Sequence, residues 1–212
     1  PRSTLFPYTT LFRSPKNIGY GKIRVINDDI LISNNGFDPH PHKNMEIITY
    51  IINGELTHGD NMGNKRTLER GNVQYMSAGS GVIHSEYNNG KLPLRLIQIW
   101  IYPDSLDLKP QYGDIKYDES DRKNKLLKIV SGTNGDGLIK IYQDVDIFVT
   151  EVDSNTKLSI PLDNKLGFYI INLEGESLVN QNTLGFGDAL IAEEDISITT
   201  GNYAHLLILR TI

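Results

Sequence analysis

His40-Pro41-His42 and His84-Ser85-Glu86 are the residues whose types and spacing best suit chemistry. The chain has five histidines, and three of them fall in these two short motifs. On a strand, residues i and i+2 share a face. His40 and His42 then converge on one side of the chain, and so do His84 and Glu86. Brought together, the two pairs supply three imidazoles and one carboxylate. That donor set can hold a divalent transition metal and leave coordination positions open for a ligand.

Such pairs need strands to aim them, and the sequence is rich in strand signals. From Tyr20 onward it reads as short runs of Ile, Val, Tyr and Leu. Lys22–Ile26, Glu46–Ile52, Asn72–Met76 and Leu94–Tyr102 are the candidates in the first half. Leu138–Tyr142, Asp146–Val152, Gly167–Leu173, Ala189–Ala192 and Ala204–Leu209 follow in the second. Gly, Asn and Asp clusters such as Asn34-Asn35-Gly36 and Asn134-Gly135-Asp136-Gly137 separate them. Short strands with frequent turn signals predict an all-β sandwich or barrel. No amphipathic helix of ten or more residues stands out, and only the charged stretch Asp118–Lys125 can hold a turn or two.

A weak internal repeat divides the chain. MEIITYIINGEL (Met45–Leu56) resembles LGFYIINLEGESL (Leu166–Leu178), and RGNVQYM (Arg70–Met76) resembles FGDALIA (Phe186–Ala192). Two matches at similar offsets predict two copies of one β-unit, joined by an acidic, Lys-rich linker. Projecting the offsets sends His40 and His42 to Pro161 and Asp163, and His84 and Glu86 to Thr200 and Asn202. No imidazole survives, so only the first copy is expected to hold the metal site.

With 212 residues, 39% hydrophobic and 22% charged, the composition is that of an ordinary globular chain. The net charge is −5, and no basic stripe appears, which argues against nucleic acid as a ligand. There is no cysteine, so disulfides and thiolate chemistry are excluded. No apolar run approaches the roughly 18–20 residues of a membrane span, and a cytoplasmic monomer is expected. Thr4–Ser14 reads TLFPYTTLFRS, which is similar, residue for residue, to the in-frame translation of a DNA-sequencing adapter. Residues 1–14 are therefore expected to be non-native, with the natural sequence starting near Pro15.

The glycine framework around the motifs carries a family resemblance. His40-x-His42-x3-Glu46 is followed by Gly54; Gly71 is followed by Gly79, His84 and Asn88. This resembles the two motifs of the cupin superfamily, with Ser77 where a proline is usual. The longer run GFDPHPHKNMEIITYIINGELTHGDNMGN, then RGNVQYMSAGSGVIHSEYN, resembles the pirin family and specifically its bacterial members. The likeness is dense over residues 15–103 and thinner beyond.

The resemblance implies a bicupin, two double-stranded β-helix domains in tandem. Its expected limits are 15–112 for a metal-binding domain, 113–125 for a linker and 126–212 for a domain without metal ligands. It implies one divalent transition metal per chain, iron first, with Mn, Ni, Cu, Co or Zn as alternatives. The implied ligands are His40, His42, His84 and Glu86. In many other cupins the glutamate of the first motif is a ligand, so Glu46 is the competing carboxylate. The i, i+2 geometry beside His84 favours Glu86 and leaves Glu46 a supporting residue. His58 reads either as a residue of the cavity mouth or as a turn histidine paired with Asp60. His205, in a terminal apolar strand, reads as structural. Gln98, Trp100 and Tyr102 share a face that either packs the core or walls the cavity, with core the default expectation.

Several bacterial pirin-like proteins resemble quercetin 2,3-dioxygenases, which open a flavonol ring with O2 and release carbon monoxide. The implied partners are then a small aromatic, flavonol-like substrate and O2, with Glu86 as the catalytic proton acceptor. Eukaryotic pirins resemble nuclear cofactors, so the alternative is a metal-binding regulatory protein without enzymatic activity. The same four ligands serve both roles.

Overall fold

The structure is a computed structural model and describes residues 19–163, 165 and 167–211. The expected non-native segment, residues 1–14, lies outside the described residues. The chain divides into two compact units, one running to Lys116 and one from Tyr117 onward.

The first unit holds β1 (Ile23–Leu31), β2 (Asn35–His42), β3 (Glu46–Asn53), β4 (Glu55–Asp60), β5 (Lys65–Glu69), β6 (Asn72–Ser77), β7 (Val82–Asn88), β8 (Leu94–Ile101) and β9 (Gln111–Lys116). They form two antiparallel sheets, ordered β1-β8-β3-β6-β9 and β2-β7-β4-β5. Because the chain keeps crossing from one sheet to the other, their inner faces meet. Leu31, Ile51, Leu94 and Leu96 from the larger sheet pack on Leu56 and Leu68 from the smaller. Ile47, Met76 and Trp100 pack on Val82 in the same way. β7 shows the alternation clearly: Val82, His84, Glu86 and Asn88 are buried, and the residues between them are not.

Two glycines make the crossings possible. Gly54, at φ +79, turns β3 into β4, and a Cβ there would meet the Pro93 carbonyl oxygen at 2.6 Å. Gly79, at φ +45, lies against the Leu108 carbonyl and lets the Ser77–Gly81 segment re-aim the chain into β7. β1 runs past the expected Ile26, because Asp28 accepts two hydrogen bonds from Arg95 on β8, at 2.8 and 2.6 Å. That bidentate pair holds Asn27–Asp29, a stretch whose composition reads as a turn, in a ladder.

The second unit holds α1 (Glu119–Arg122), β10 (Leu127–Gly132), β11 (Ile139–Ile141), β12 (Asp146–Asp153), β13 (Leu158–Ile160), β14 (Gly167–Gly175), β15 (Ser177–Val179), β16 (Asn182–Leu184), β17 (Ala189–Ala192), β18 (Ile196–Thr199) and β19 (Tyr203–Thr211). The sheets run β11-β10-β12-β19-β14-β17 and β13-β18-β15-β16. The order β12-β19-β14-β17 repeats β1-β8-β3-β6, and β13-β18-β15-β16 repeats β2-β7-β4-β5. The protein is thus all-β, two double-stranded β-helix units in tandem. Within the stretch expected as a linker, Gly113–Lys116 pairs with β6 and Glu119–Arg122 forms a single helical turn.

Strand pairing corrects the projection of the metal motifs into the second copy. The His40–His84 pair of β2 and β7 corresponds to Ile160–Ile196 of β13 and β18. The His58–Glu86 pair corresponds to Val179–Ile198. Offset arithmetic gave Pro161 and Thr200 instead, because loop lengths differ between the copies, and in a strand a slip of one residue changes the face. All four corresponding residues are buried in one apolar cluster. Among the described residues, no helix is long and apolar enough to cross a membrane.

Candidate metal centre

Three neighbouring strands of the smaller sheet in the first unit each carry one i, i+2 pair on the inner face. β2 brings His40 and His42, β7 brings His84 and Glu86, and β4 brings His58 and Asp60. Register aligns them: His40 stands opposite His84, His84 opposite Asp60, and Glu86 opposite His58. His84, Glu86 and His58 are fully buried, and His40 and His42 half-buried. The cluster is therefore deepest at His58 and Glu86 and open toward β2.

The imidazoles converge. Ring centroids lie 4.4 Å apart for His40 and His84, 4.9 Å for His40 and His42, and 5.0 Å for His42 and His84. Donor atoms of these three residues lie within 4.8 Å of one another. His40 Nδ1 donates to the Asp38 carbonyl at 2.7 Å, which leaves Nε2 with a free lone pair. His42 Nε2 and both ring nitrogens of His84 are buried without a hydrogen-bond partner. Unpartnered imidazole nitrogens in a buried cluster fit a divalent transition ion, since a bound metal satisfies such lone pairs.

Burial, then the neighbouring His40, pushes His42 down to about 4. Burial, then His40, His42 and His58, pushes His84 down to about 3. Both rings are neutral near pH 7, the form that binds a metal.

Glu86 is held from the opposite sheet. Gln74 Nε2 donates to Oε1 at 3.0 Å, and Gln98 Nε2 donates to Oε2 at 2.7 Å. The amides are themselves oriented: Trp100 Nε1 donates to Gln98 Oε1 at 2.9 Å, and the Tyr112 hydroxyl to Gln74 Oε1 at 3.3 Å. Each glutamine carbonyl is occupied, so each NH2 must face the carboxylate. Burial pushes the Glu86 carboxyl above its ordinary value, against the pull of Gln98, His58, Gln74 and His40. Gln98 walls the cavity and supports Glu86, the alternative to the core default, while Trp100 does both: it packs with Ile47, Met76 and Val82, orients Gln98 and meets the His42 ring edge-on at 4.9 Å. Tyr102 is exposed.

Glu46 stands elsewhere. Its neighbour Ile47 faces the interior between the sheets, so Glu46 turns to the other face of β3, where Ser77 Oγ donates to it at 2.7 Å. It is not among the clustered donors. The spacing of the expected quartet is uneven, however. Glu86 lies within 4.8 Å of His84 and His58, a second group that shares only His84 with the three-histidine set.

His58 pairs with Asp60, as one of its two readings had it, but within β4 and not in a turn, and it lies at the closed end of the cluster and not at a cavity mouth. Its Nε2 donates to Asp60 Oδ2 at 3.0 Å, and it lies fully inside the cluster, stacked on Tyr112 at 4.6 Å. Asp60 also accepts from the backbone and side chain of Asn64 and from Met62 N. Burial opposes its ionisation, yet the hydrogen bonds from His58 and Asn64 hold it below the ordinary carboxylate value. His205 belongs to the second unit, fully buried, with Glu174 Oε2 at 2.7 Å from its Nδ1.

Gln74, Tyr112 and Asp29 had no signal in the sequence. Asp29 on β1 is buried, and burial, then Asp28 and Glu86, raises its carboxyl to about 6.

Comparison with known proteins places the chain in a family. The pirin family pattern matches residues 5–101, and that of the quercetinase C-terminal cupin domain matches 128–209. A pirin-like protein of Caulobacter vibrioides is 36% identical, over 89% of this chain and 82% of its own. A protein of Escherichia coli O157:H7 named quercetin 2,3-dioxygenase is 33% identical, over 93% of this chain and 85% of its own. The crystal structure of the bacterial pirin YhhW from Escherichia coli in complex with nickel(II) superimposes with a TM-score of 0.85 at 30% identity, covering 94% of this chain and 86% of that one. Folded as two tandem cupin units and matched along most of its length, the chain belongs to the pirin family.

Proposed function

We propose that this protein is a metal-dependent dioxygenase of the quercetin 2,3-dioxygenase type, which opens a flavonol-like ring with O2. The observation that carries the reading is the gathering of His40, His42 and His84, with Glu86 beside His84 and three imidazole nitrogens of His42 and His84 buried and unpartnered. These four residues would hold one divalent transition ion, with iron the first expectation; the nickel-bound relative supports a bound metal ion. The names of the curated relatives support the substrate class.

When bound, the ion supplies Lewis acidity, which makes a flavonol hydroxyl more acidic. The protein's own groups do the rest. The Asp38 carbonyl fixes the tautomer of His40. Gln74 and Gln98 fix both oxygens of Glu86, and Trp100 and Tyr112 fix the glutamines. Glu86 takes the hydroxyl proton on its carboxylate, a role suited to a carboxyl whose proton affinity burial has raised. Ile47, Met76, Val82 and Trp100 pack beside His42 and keep that flank of the site dry.

The test is oxygen uptake and carbon monoxide release on a flavonol panel, after reconstitution with each metal in turn. Turnover with at least one metal, lost in Glu86→Gln, is expected. Stoichiometric metal with no oxygen uptake on any flavonol would favour the regulatory reading instead.

A further inference from the structure

The two sheets of the first unit are tied together at one edge and part at the other. β9 and β5 are their outer strands on one side, and two ion pairs join them: Arg66 to Asp114 at 3.2 Å and Lys116 to Glu69 at 3.7 Å. β1 and β2 are the outer strands on the other side, and they do not pair with each other. That seam is sealed near Leu31, where Phe37 packs on the apolar cluster and Asn88 Nδ2 donates to the Leu31 carbonyl at 2.9 Å. Farther along, the half-buried His40 leaves it open beside the metal centre.

The β1 wall of the seam is polar. Side chains alternate along the strand, so Asp28 faces outward to Arg95, and Asp29 faces inward with Leu31. By register Asn27 stands beside Gln98, the donor to Glu86 Oε2, and Asp29 stands beside Leu96. Arg95 accounts for Asp28, but nothing accounts for Asp29. It is 8% exposed, and its carboxyl has no hydrogen-bond or ion-pair partner among the described residues. A buried carboxylate is costly unless a donor reaches it, and the donor left to reach this one is a ligand in the seam. The β2 wall is aromatic: the Phe37 and His40 rings stand edge to face with centroids 6.3 Å apart. An aromatic wall opposite an unpartnered acceptor suits a flat ring that carries a hydroxyl.

We propose that Asp29 is a specificity-determining residue of the site, its carboxylate accepting a hydrogen bond from a phenolic hydroxyl of the substrate other than the hydroxyl at the ion. This role rests on the flavonol-like substrate class proposed above and adds which members of that class are preferred. A ring with the second hydroxyl satisfies the carboxylate. A bare ring seals it away from water unpaired and is rejected on that account.

The experiment reads binding without turnover. Quercetin and 3-hydroxyflavone share the 3-hydroxyl and the neighbouring carbonyl, and only quercetin carries further ring hydroxyls. Each is titrated under argon into the nickel-loaded full chain at pH 8, where a carboxyl raised to about 6 is ionised, and binding is followed by flavonol absorbance. The wild type is expected to bind quercetin at least about tenfold more tightly than 3-hydroxyflavone. Asp29→Leu should weaken quercetin by roughly ten- to hundredfold, the range for a hydrogen bond to a charged group, and leave 3-hydroxyflavone as tight or tighter. Asp29→Asn, nearly the same shape, should fall between the two and carries the test if thermal melts show that the leucine variant does not fold. A folded variant that keeps the wild-type preference overturns the proposal, and so does equal weakening of both flavonols. A wild type that binds both equally overturns it while the flavonol reading stands. A wild type that binds neither overturns that reading and this role with it.

Discussion

His84 faces His40 across the β2–β7 ladder with ring centroids 4.4 Å apart, and both of its own ring nitrogens are buried and unpartnered. It is the single residue common to both donor groups in the cluster. His84→Ala should therefore be the most damaging single change for metal binding. Elemental analysis of the purified variant is expected to show no stoichiometric transition metal. One ion per chain in that variant would disprove the assignment.

The glutamines behind Glu86 should matter to the ion without touching it. In Gln98→Leu, Oε2 of a buried carboxylate loses its 2.7 Å donor and the Trp100 indole loses its acceptor. Metal affinity, measured by competition with a chelator, is expected to fall roughly 10–100-fold, the usual cost of removing a residue that orients a ligand. Unchanged affinity would mean that Glu86 is not a ligand.

The candidate metal ligands are more legible in the sequence than the residues that position them. His40, His42, His84 and Glu86 declare themselves by i, i+2 spacing, which depends only on the strand period. β2, β4 and β7, which carry the cluster, were not among the strands read from propensity: Gly36, Pro39, Pro41, Gly59 and Asn88 are poor strand formers, and burial of one face overrides them. His58 was visible, but its place opposite Glu86 depends on the β4–β7 register, which local sequence does not specify. Gln74, Gln98 and Tyr112 come from the other sheet, and their approach to the site is purely tertiary. The repeat predicted the second copy correctly, while its loop lengths misplaced the residues that correspond to the metal motifs.

Asp29 gives the site a pH signature. Its carboxyl sits at about 6 in the folded protein against 3.8 ordinarily. Between those values the folded state keeps a proton that the unfolded chain has released, so rising pH costs stability there. Asp29→Asn removes the titration and nearly preserves the shape. Urea midpoints of the metal-free proteins are expected to shift in favour of the variant as pH rises from about 4 to 6, and to stay apart above that. Parallel curves for the two proteins across pH 4–7 would show that Asp29 ionises normally.

The second unit provides the contrast. Ile198 occupies in β18 the place that Glu86 occupies in β7, fully buried against Ile160, Ile196, Val179 and Leu206. Where the first copy gathers donors, this one gathers methyl groups, so truncation should act on stability alone. Ile198→Ala removes three carbons from a closed cluster, and the cavity left behind can collapse only in part. A loss of about 2–5 kcal/mol is expected by urea denaturation. Metal stoichiometry and affinity should not change, since no donor has been altered. A small stability loss would mean that the cluster is loosely packed. A changed metal content would mean that the second copy takes part in holding the ion.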